Sequence, residues 1–205
     1  MISIFAILAS LLSPAINTVF ETANTLKCTQ NLSQLGAINH LYSSDFEDKV
    51  VIAMQDIKTS WDDSLSSYLG FDLTQKEIEM NKLHLADRPD YPEILHCPSD
   101  PKVEAKGGGI RRSYSLSMGK PKDYHIKRGM SGEGWSSFLS DATSPSKTLL
   151  MIEFPNSYNR VGMNMVSGLE NVYRQIYSLG FNTSIEYYGI HTDGSFLFNY
   201  LFADS

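Results

Sequence analysis

The chain has 205 residues, of which 42% are hydrophobic and 20% are charged, a composition typical of a folded protein and not of a disordered one. Its net charge of −6 repels phosphates and anionic lipid headgroups, so neither nucleic acid nor a peripheral lipid surface is expected as the main partner. The length suits one domain with an appendage.

The first predicted element is a long helix that begins at the N-terminus and ends near Ser44. Its apolar residues recur at intervals of three and four, which is the helical period: Ile16, Val19, Phe20, Ala23, Leu26, Leu32, Leu35, Ile38, Leu41 and Tyr42. Pro14 removes one backbone hydrogen bond and is expected to kink the helix without ending it. The alternative is a pair of shorter core helices broken at Pro14.

Such a helix is too long for the rest of the protein to cover. A helix from Ile2 to Ser44 is ~65 Å long, whereas a compact globule of this chain length is about 43 Å across. The amphipathic second half is therefore expected to lie on the globule, and the apolar first half to protrude into a membrane or among the helices of neighbouring subunits. The apolar stretch lacks the basic start of a secretory signal, and Ser10, Ser13 and Pro14 interrupt it as a complete transmembrane helix.

Beyond the long helix, two short helices are predicted. Ser60 and Asp63 have the spacing of a capping box, which opens a helix that ends at Gly70. A second short helix is expected over residues 75–85.

Strands are predicted near the C-terminus. Residues 147–154 form an apolar run that is best explained as a buried strand. Residues 186–191 and 195–202 flank Thr192-Asp193-Gly194, and Asp-Gly between aromatic-rich runs indicates a hairpin. The predicted fold class is α+β, with one protruding helix packed on an antiparallel sheet.

Sequence motifs give no support to catalysis. The chain contains no Gly-x-Ser-x-Gly elbow and no Gly-Lys-Ser/Thr phosphate loop. Its histidines are scattered and form no His-x-x-x-His pair; they are His40, His84, His96, His125 and His191. We therefore expect no catalytic residue and no enzyme activity.

The two cysteines, Cys28 and Cys97, leave two alternatives open. In a cytosolic protein they are two unrelated thiols, whereas in an exported protein two cysteines more often form one bridge. The choice between them depends on the compartment.

Two stretches of the long helix carry a family resemblance. They are ISIFAILASLLSPAIN at residues 2–17 and the Cys-x-x-Asn-Leu-x-Gln-Leu-Gly signature at residues 28–36, followed by Leu41-Tyr42. This part of the chain resembles the N-terminal helix of type IV pilin-like proteins, the pseudopilins of bacterial type II secretion. The similarity is greatest to the group found in planctomycetes, verrucomicrobia and lentisphaerae.

Further motifs follow in the family's order over nearly the whole chain. They are Trp61 with Leu65 and Tyr68-Leu69-Gly70, then Leu95-His96-Cys97-Pro98-Ser99-Asp100, Arg112-Ser113-Tyr114-Ser115, the segment 144–150, and His191 with the segment 199–204. Each motif is short, and it is the ordered set that is similar to the family.

The resemblance implies a pilin-like fold with three parts. Residues 1–20 would be the apolar half of the N-terminal helix, residues 21–45 its amphipathic half, and residues 46–205 a globular α+β head. The residues expected to pack in the membrane or in a filament core are Ile4, Phe5, Ile7, Leu8, Leu11, Leu12 and Pro14.

The function that the resemblance implies is that of a non-catalytic structural subunit, which polymerises through this helix in a type II secretion pseudopilus or a related type IV pilus-like filament. Its partners would be copies of itself, other pseudopilins, the inner membrane and the secretion assembly machinery, with the head in the periplasm or on an extracellular filament. Members of the family begin with a basic leader, a prepilin peptidase site and a glutamate, so we expect the true N-terminus to lie upstream of Met1.

The resemblance also bears on the cysteines and on metal binding. In an exported pilin-like protein, Cys28 and Cys97 would form a disulfide. Major pseudopilins hold a calcium ion in a C-terminal loop, which makes Asp193 and Asp204 candidate calcium ligands. No other cofactor is expected.

An alternative function is that of a membrane-tethered periplasmic binding module, in which the helix is only an anchor. The eleven Tyr and two Trp residues would suit a polysaccharide-binding head, because aromatic rings offer flat apolar faces with a polar edge. Assembly that depends on concentration and on the apolar helix would distinguish polymerisation from this alternative.

Overall fold

A computed structural model describes residues 2–55, 59–71, 73–77, 92–100, 112–118, 129–132, 134–153, 162–163 and 199–204, with the backbone alone at residues 2–11 and 162–163. The fold of this part of the chain is α+β, as predicted. A long N-terminal helix lies against a small sheet, and short 3₁₀ turns connect the elements.

Helix α1 spans Ile2–Asp45, and Pro14 lies inside it without ending it. The alternative of two helices broken at Pro14 is therefore wrong. The helix ends where the backbone of Glu47 and Asp48 turns into the left-handed region, with φ of 54° and 66°. The amide of Asp48 then donates to the Ser43 carbonyl at 2.8 Å, which satisfies one of the last carbonyls of the helix.

Helix α2 spans Trp61–Ser64 and is shorter than predicted. The capping box at its start is present, because the Asp63 carboxylate accepts a hydrogen bond from the Ser60 amide at 2.8 Å. Turns continue from α2 to Gly70, whose φ of 87° is a conformation that glycine adopts at no steric cost.

The sheet has four strands: β1 at Tyr114–Ser117, β2 at Leu149–Glu153, β3 at Gly162–Met163 and β4 at Tyr200–Phe202. Their order across the sheet is β3-β1-β2-β4. Strand β2 is antiparallel to both β1 and β4, whereas β3 is parallel to β1. Strands β1, β2 and β4 thus confirm the predicted antiparallel sheet, and the parallel strand β3 was not predicted. This strand runs against β2, which it follows along the chain, and so runs with β1.

The predicted buried strand at residues 147–154 is confirmed by β2, of which four residues are buried. Strand β4 lies within the predicted strand at residues 195–202, but the turn of the expected hairpin lies outside the described residues. Of the helix expected at residues 75–85, residues 75–77 are helical and the others lie outside the described residues.

The core lies between the second half of α1 and the sheet. Cys28, Leu32 and Leu35 of α1 are buried there, together with Met151 of β2 and Leu201 of β4. Gly36 brings α1 close to β4, because a Cβ atom at this position would lie 2.7 Å from Leu201 Cδ2. The described side chains of α1 before residue 24 are all exposed.

Replacing Gly36 by Leu is expected to lower the free energy of unfolding by about 1–3 kcal/mol, because the new side chain collides with Leu201. Ala37 is exposed on the same helix, so Ala37→Leu is the matched control and should change stability by less than about 0.5 kcal/mol. Urea denaturation followed by circular dichroism measures both variants. Equal stability of the two would show that α1 does not pack closely on β4 at Gly36.

Candidate functional site

Residues 12–23 of α1 form a stem that no described part of the head covers. On the stem and just beyond it, five large apolar side chains are exposed: Leu12 at 56%, Ile16 at 48%, Val19 at 66%, Phe20 at 64% and Leu26 at 59%. Their spacing places them on one side of the helix, and we call them the apolar stripe. At 1.5 Å per residue the stripe is ~21 Å long.

The apolar stripe does not face the head. At ~100° per residue, its centre lies about 150° around the helix from the side that carries Cys28, Leu35 and Asn39. Those three residues are buried against the head. The described part of the head is therefore in the wrong direction to cover the stripe. Exposed apolar surfaces of this kind mark sites of interaction with another protein or with a membrane.

Another side of the same stretch carries a threonine ladder, made of Thr18, Thr22, Thr25 and Thr29. Each hydroxyl donates a hydrogen bond to the backbone carbonyl four residues earlier, at 3.1, 2.8, 2.9 and 3.1 Å respectively. These bonds satisfy the hydroxyl donors within the helix itself. This side of the stem can therefore pack against another surface without leaving those donors unpaired.

Below the stem, α1 is joined covalently to the head. Cys28 and Cys97 form a disulfide with their Cα atoms 4.9 Å apart, which is an ordinary separation for a bridged pair. Both residues are fully buried. Their separation of 69 residues corresponds to a stabilisation of about 4 kcal/mol in the chain-entropy model.

Two hydrogen bonds hold the same turn of α1 in place. The Asn31 side chain donates to the carbonyl of His96 at 3.1 Å, and the Tyr114 hydroxyl donates to the carbonyl of Cys28 at 3.2 Å. Burial raises the pKa of Tyr114 above its usual range, so the phenol keeps its proton and remains a donor. The stem is thus attached to the head by a bridge and by bonds on either side of it.

At the other end of α1, three aromatic rings form a patch made of Tyr42, Phe46 and Tyr68. The Tyr42 and Phe46 rings are stacked with centroids 4.3 Å apart, and Tyr68 meets Tyr42 edge-on at 5.9 Å. The Tyr68 hydroxyl donates to Asp45 Oδ2 at 2.7 Å, and this bond raises the pKa of Tyr68 to about 12. Phe46 is 48% exposed, so the aromatic patch presents a ring to solvent.

Two carboxylates meet in the head beside α2. Arg112 Nη1 lies 2.5 Å from Asp62 Oδ1 and also donates to Ser60 Oγ at 3.1 Å. Burial and the Asp62 carboxylate raise the pKa of Asp63 to about 6. Asp62 is fully buried and Asp63 nearly so, which closes both carboxylates to a substrate. We interpret this cluster as structural, since it joins the start of α2 to the segment before β1.

The structure places the predicted packing residues only in part. Leu12 is exposed in the apolar stripe, and Pro14 lies in the stem. The other predicted packing residues have side chains outside the described part of the chain: Ile4, Phe5, Ile7, Leu8 and Leu11. The threonine ladder and the aromatic patch were missed by sequence reasoning. The spacing of three and four along the helix could have found the ladder, whereas Tyr68 is distant along the chain from Tyr42 and leaves no local signal.

The calcium site stays a prediction. Asp204 is an exposed turn residue after β4, and Asp193 lies outside the described residues. Within the described part of the chain, the group of three side chains that could hold a metal is instead Cys28, Cys97 and Glu153, whose ligand atoms all lie within 4.8 Å of one another.

No protein-family model, no curated protein and no solved structure matches this chain. Among the described residues, no helix is both long enough and apolar enough to cross a membrane. Function is therefore inferred from the geometry of the stem and from the resemblance that the sequence motifs carry.

The raised pKa of Asp63 predicts that the head loses stability as the pH rises. The ordinary pKa of an aspartate is 3.8, so between about pH 4 and 6 the folded chain binds more protons than the unfolded chain. We expect Asp63→Asn to remove this loss. Relative to the wild type, the free energy of unfolding of the variant should rise by up to about 3 kcal/mol between pH 4 and pH 7. Urea denaturation across this range measures the difference, and a constant difference contradicts the prediction.

Proposed function

We propose that the protein is a pilin-like structural subunit that polymerises through α1, within a type II secretion pseudopilus or a related filament. The observation that carries this proposal is the apolar stripe, a ~21 Å line of exposed apolar side chains on a helix whose lower half is fixed to the head. The order of motifs along the sequence supports the same function.

The energetics favour a partner that covers the stripe along its length. Fully burying one large apolar side chain contributes about 1.5–3 kcal/mol, and the five in the stripe are 48–66% exposed, so covering them contributes about 4–9 kcal/mol toward the cost of association. The threonine ladder allows a second side of the stem to be covered as well, since its hydroxyls make their bonds within the helix. The helices of neighbouring subunits would pack on the side that carries the apolar stripe and on the side that carries the threonine ladder.

The attachment of α1 to the head also fits a filament subunit. Force applied along the stem passes to the head through the Cys28–Cys97 bridge and the hydrogen bond from Tyr114. Copies of the chain that pack through their stems would therefore hold their heads in one fixed orientation. In the proposed life cycle the helix lies in the inner membrane before assembly, with the head in the periplasm, and the secretion machinery and other pseudopilins are further partners.

Val19→Glu is expected to prevent assembly, because packing the stem would bury an unpaired carboxylate in an apolar contact. The concentration needed for half-maximal assembly should rise at least tenfold, measured by sedimentation velocity on the full chain. Asn17→Glu is the matched control. It adds the same charge at an exposed stem position roughly a third of a turn from the stripe, and it should assemble as the wild type does.

Two results would contradict the proposal. One is a wild-type chain that stays monomeric at every concentration tested, and the other is equal loss of assembly in Val19→Glu and Asn17→Glu. Mass spectrometry of membrane and sheared-filament fractions from the source cells adds an independent test. An N-methylated residue upstream of Met1 is the result expected for a processed pilin-like protein, whereas a soluble chain that begins at Met1 with reduced cysteines argues against it.

The aromatic patch favours a second candidate function, a tethered module that binds polysaccharide. The exposed ring of Phe46 and the Asp45 carboxylate together offer an apolar face and a hydrogen-bond acceptor, which is the chemistry that a sugar requires. A chain that stays monomeric but is retained by a polysaccharide, with retention lost in Phe46→Ala, would favour this function over polymerisation.

A further inference from the structure

We propose that the reduced chain holds one thiophilic divalent cation, zinc above all, between Cys28, Cys97 and Glu153. The ligand atoms of these three residues lie within 4.8 Å of one another. All three side chains are buried, the two cysteines completely and Glu153 to 99%. The site does not depend on self-assembly, so it can be tested independently of the proposed function.

The distances suit a tetrahedral ion after small side-chain rotations. Zinc binds thiolate sulfur at about 2.3 Å and carboxylate oxygen at about 2.0–2.2 Å, which sets ligand atoms about 3.5–3.8 Å apart. The three ligand atoms already lie within 4.8 Å of one another, and the Cys28 and Cys97 Cα atoms are 4.9 Å apart. Opening the disulfide lets the two sulfurs move to the separation that the ion requires without moving the backbone far.

The backbone around the three ligands is held by contacts that do not involve the disulfide. Glu153 is the last residue of β2, and its Oε2 accepts hydrogen bonds from the amide and the side chain of Asn199 at 3.1 and 3.3 Å. The turn of α1 that carries Cys28 is fixed by Tyr114, and the carbonyl before Cys97 is bound by Asn31. The ligands are therefore positioned before any ion arrives.

An ion can reach the cluster past Asn199. This side chain is partly buried, and it lies between Glu153 and the exposed Thr29, whose hydroxyl contacts Asn199 Oδ1 at 3.4 Å. In this proposal the ion enters by displacement of the Asn199 side chain, which contacts both Glu153 and Thr29. Three protein ligands leave the fourth position of a tetrahedral ion to water, as in zinc sites that stay open to exchange.

The ion can bind only after the disulfide has been reduced. A dithiol reductant gives two electrons and two protons to the Cys28–Cys97 bridge, so that the S–S bond breaks, two thiols form, and the reductant closes to its own disulfide. Binding of the divalent ion then displaces both thiol protons and leaves two thiolates and the Glu153 carboxylate as ligands. The oxidised chain has no thiolate to offer and is expected not to bind.

The experiment uses Co²⁺ as a spectroscopic probe on the full chain. The chain is reduced with a dithiol under argon, separated from the reductant and titrated with Co²⁺, with circular dichroism recorded before and after. We expect one Co²⁺ per chain, with a thiolate-to-cobalt charge-transfer band and the intense visible bands of a tetrahedral ion. The oxidised chain should show neither band.

Glu153→Gln is the decisive variant, because a glutamine oxygen can still accept the hydrogen bonds of Asn199. It should weaken Co²⁺ binding at least tenfold. Asp63→Asn, which neutralises a buried carboxylate outside the cluster, is the matched control and should bind as the wild type does. Cys97→Ser keeps one thiolate ligand, so it should lose about half of the charge-transfer intensity and bind Co²⁺ more weakly than the wild type.

Several outcomes would overturn the proposal. They are the weak visible bands of an octahedral ion, the absence of a charge-transfer band, and equal binding by Glu153→Gln and the wild type. If reduction unfolds the head, Zn²⁺ should restore the native circular dichroism of the wild type and not that of Glu153→Gln. Failure to restore the wild type would also overturn it.

Discussion

The structure depends on the length of α1, which extends beyond the described part of the head that it packs against. Its 44 residues span ~66 Å at 1.5 Å per residue, and the described side chains before residue 24 are all exposed. The helix cannot fold back, because no hinge interrupts it: Pro14 removes a backbone bond and the helix continues. Exposure of the apolar stripe to water is unfavourable in free energy. Association with another surface removes the stripe from water and so removes this unfavourable contribution.

The polar side chains in the two halves of α1 have different hydrogen-bond partners, and this distinguishes the stem from the half that packs in the core. The threonine ladder satisfies its hydroxyls within the helix, so the stem can exchange water for a partner without rearranging its own bonds. The buried half has such a bond at Asn39, which donates to the carbonyl of Leu35, but it adds long-range bonds such as that from Asn31 to the carbonyl of His96. Those long-range bonds fix the position of this side of the helix along the head of the same chain. The stem is thus adaptable in what it contacts, whereas the lower half is specific.

Sequence reasoning found the parts of the fold that local patterns encode. The period of three and four gave α1, and the apolar run at residues 147–154 gave β2. It missed β1, because Tyr114–Ser117 alternates with serines and all four residues are buried, so no contrast between faces marks the strand. It also missed the pair of Arg112 and Asp62, which are fifty residues apart along the chain and meet only through the tertiary fold. The order of strands in the sheet was not predicted for the same reason, since the pairing of segments that are distant along the chain leaves no local signal in the sequence.

The position of the bridge relates the two proposals physically. Cys28 lies two residues beyond Leu26, the last residue of the apolar stripe, so whatever joins Cys28 to the head sets how rigidly the stem is presented. A disulfide and a metal ion held by Cys28, Cys97 and Glu153 both make that connection, but the ion can be removed by competition whereas the covalent bond cannot. In a reducing compartment the ion would add to the hydrogen bonds from Tyr114 and Asn31, which hold α1 to the head in either redox state. In the proposed filament subunit, oxidation after export would replace this removable link with a covalent one.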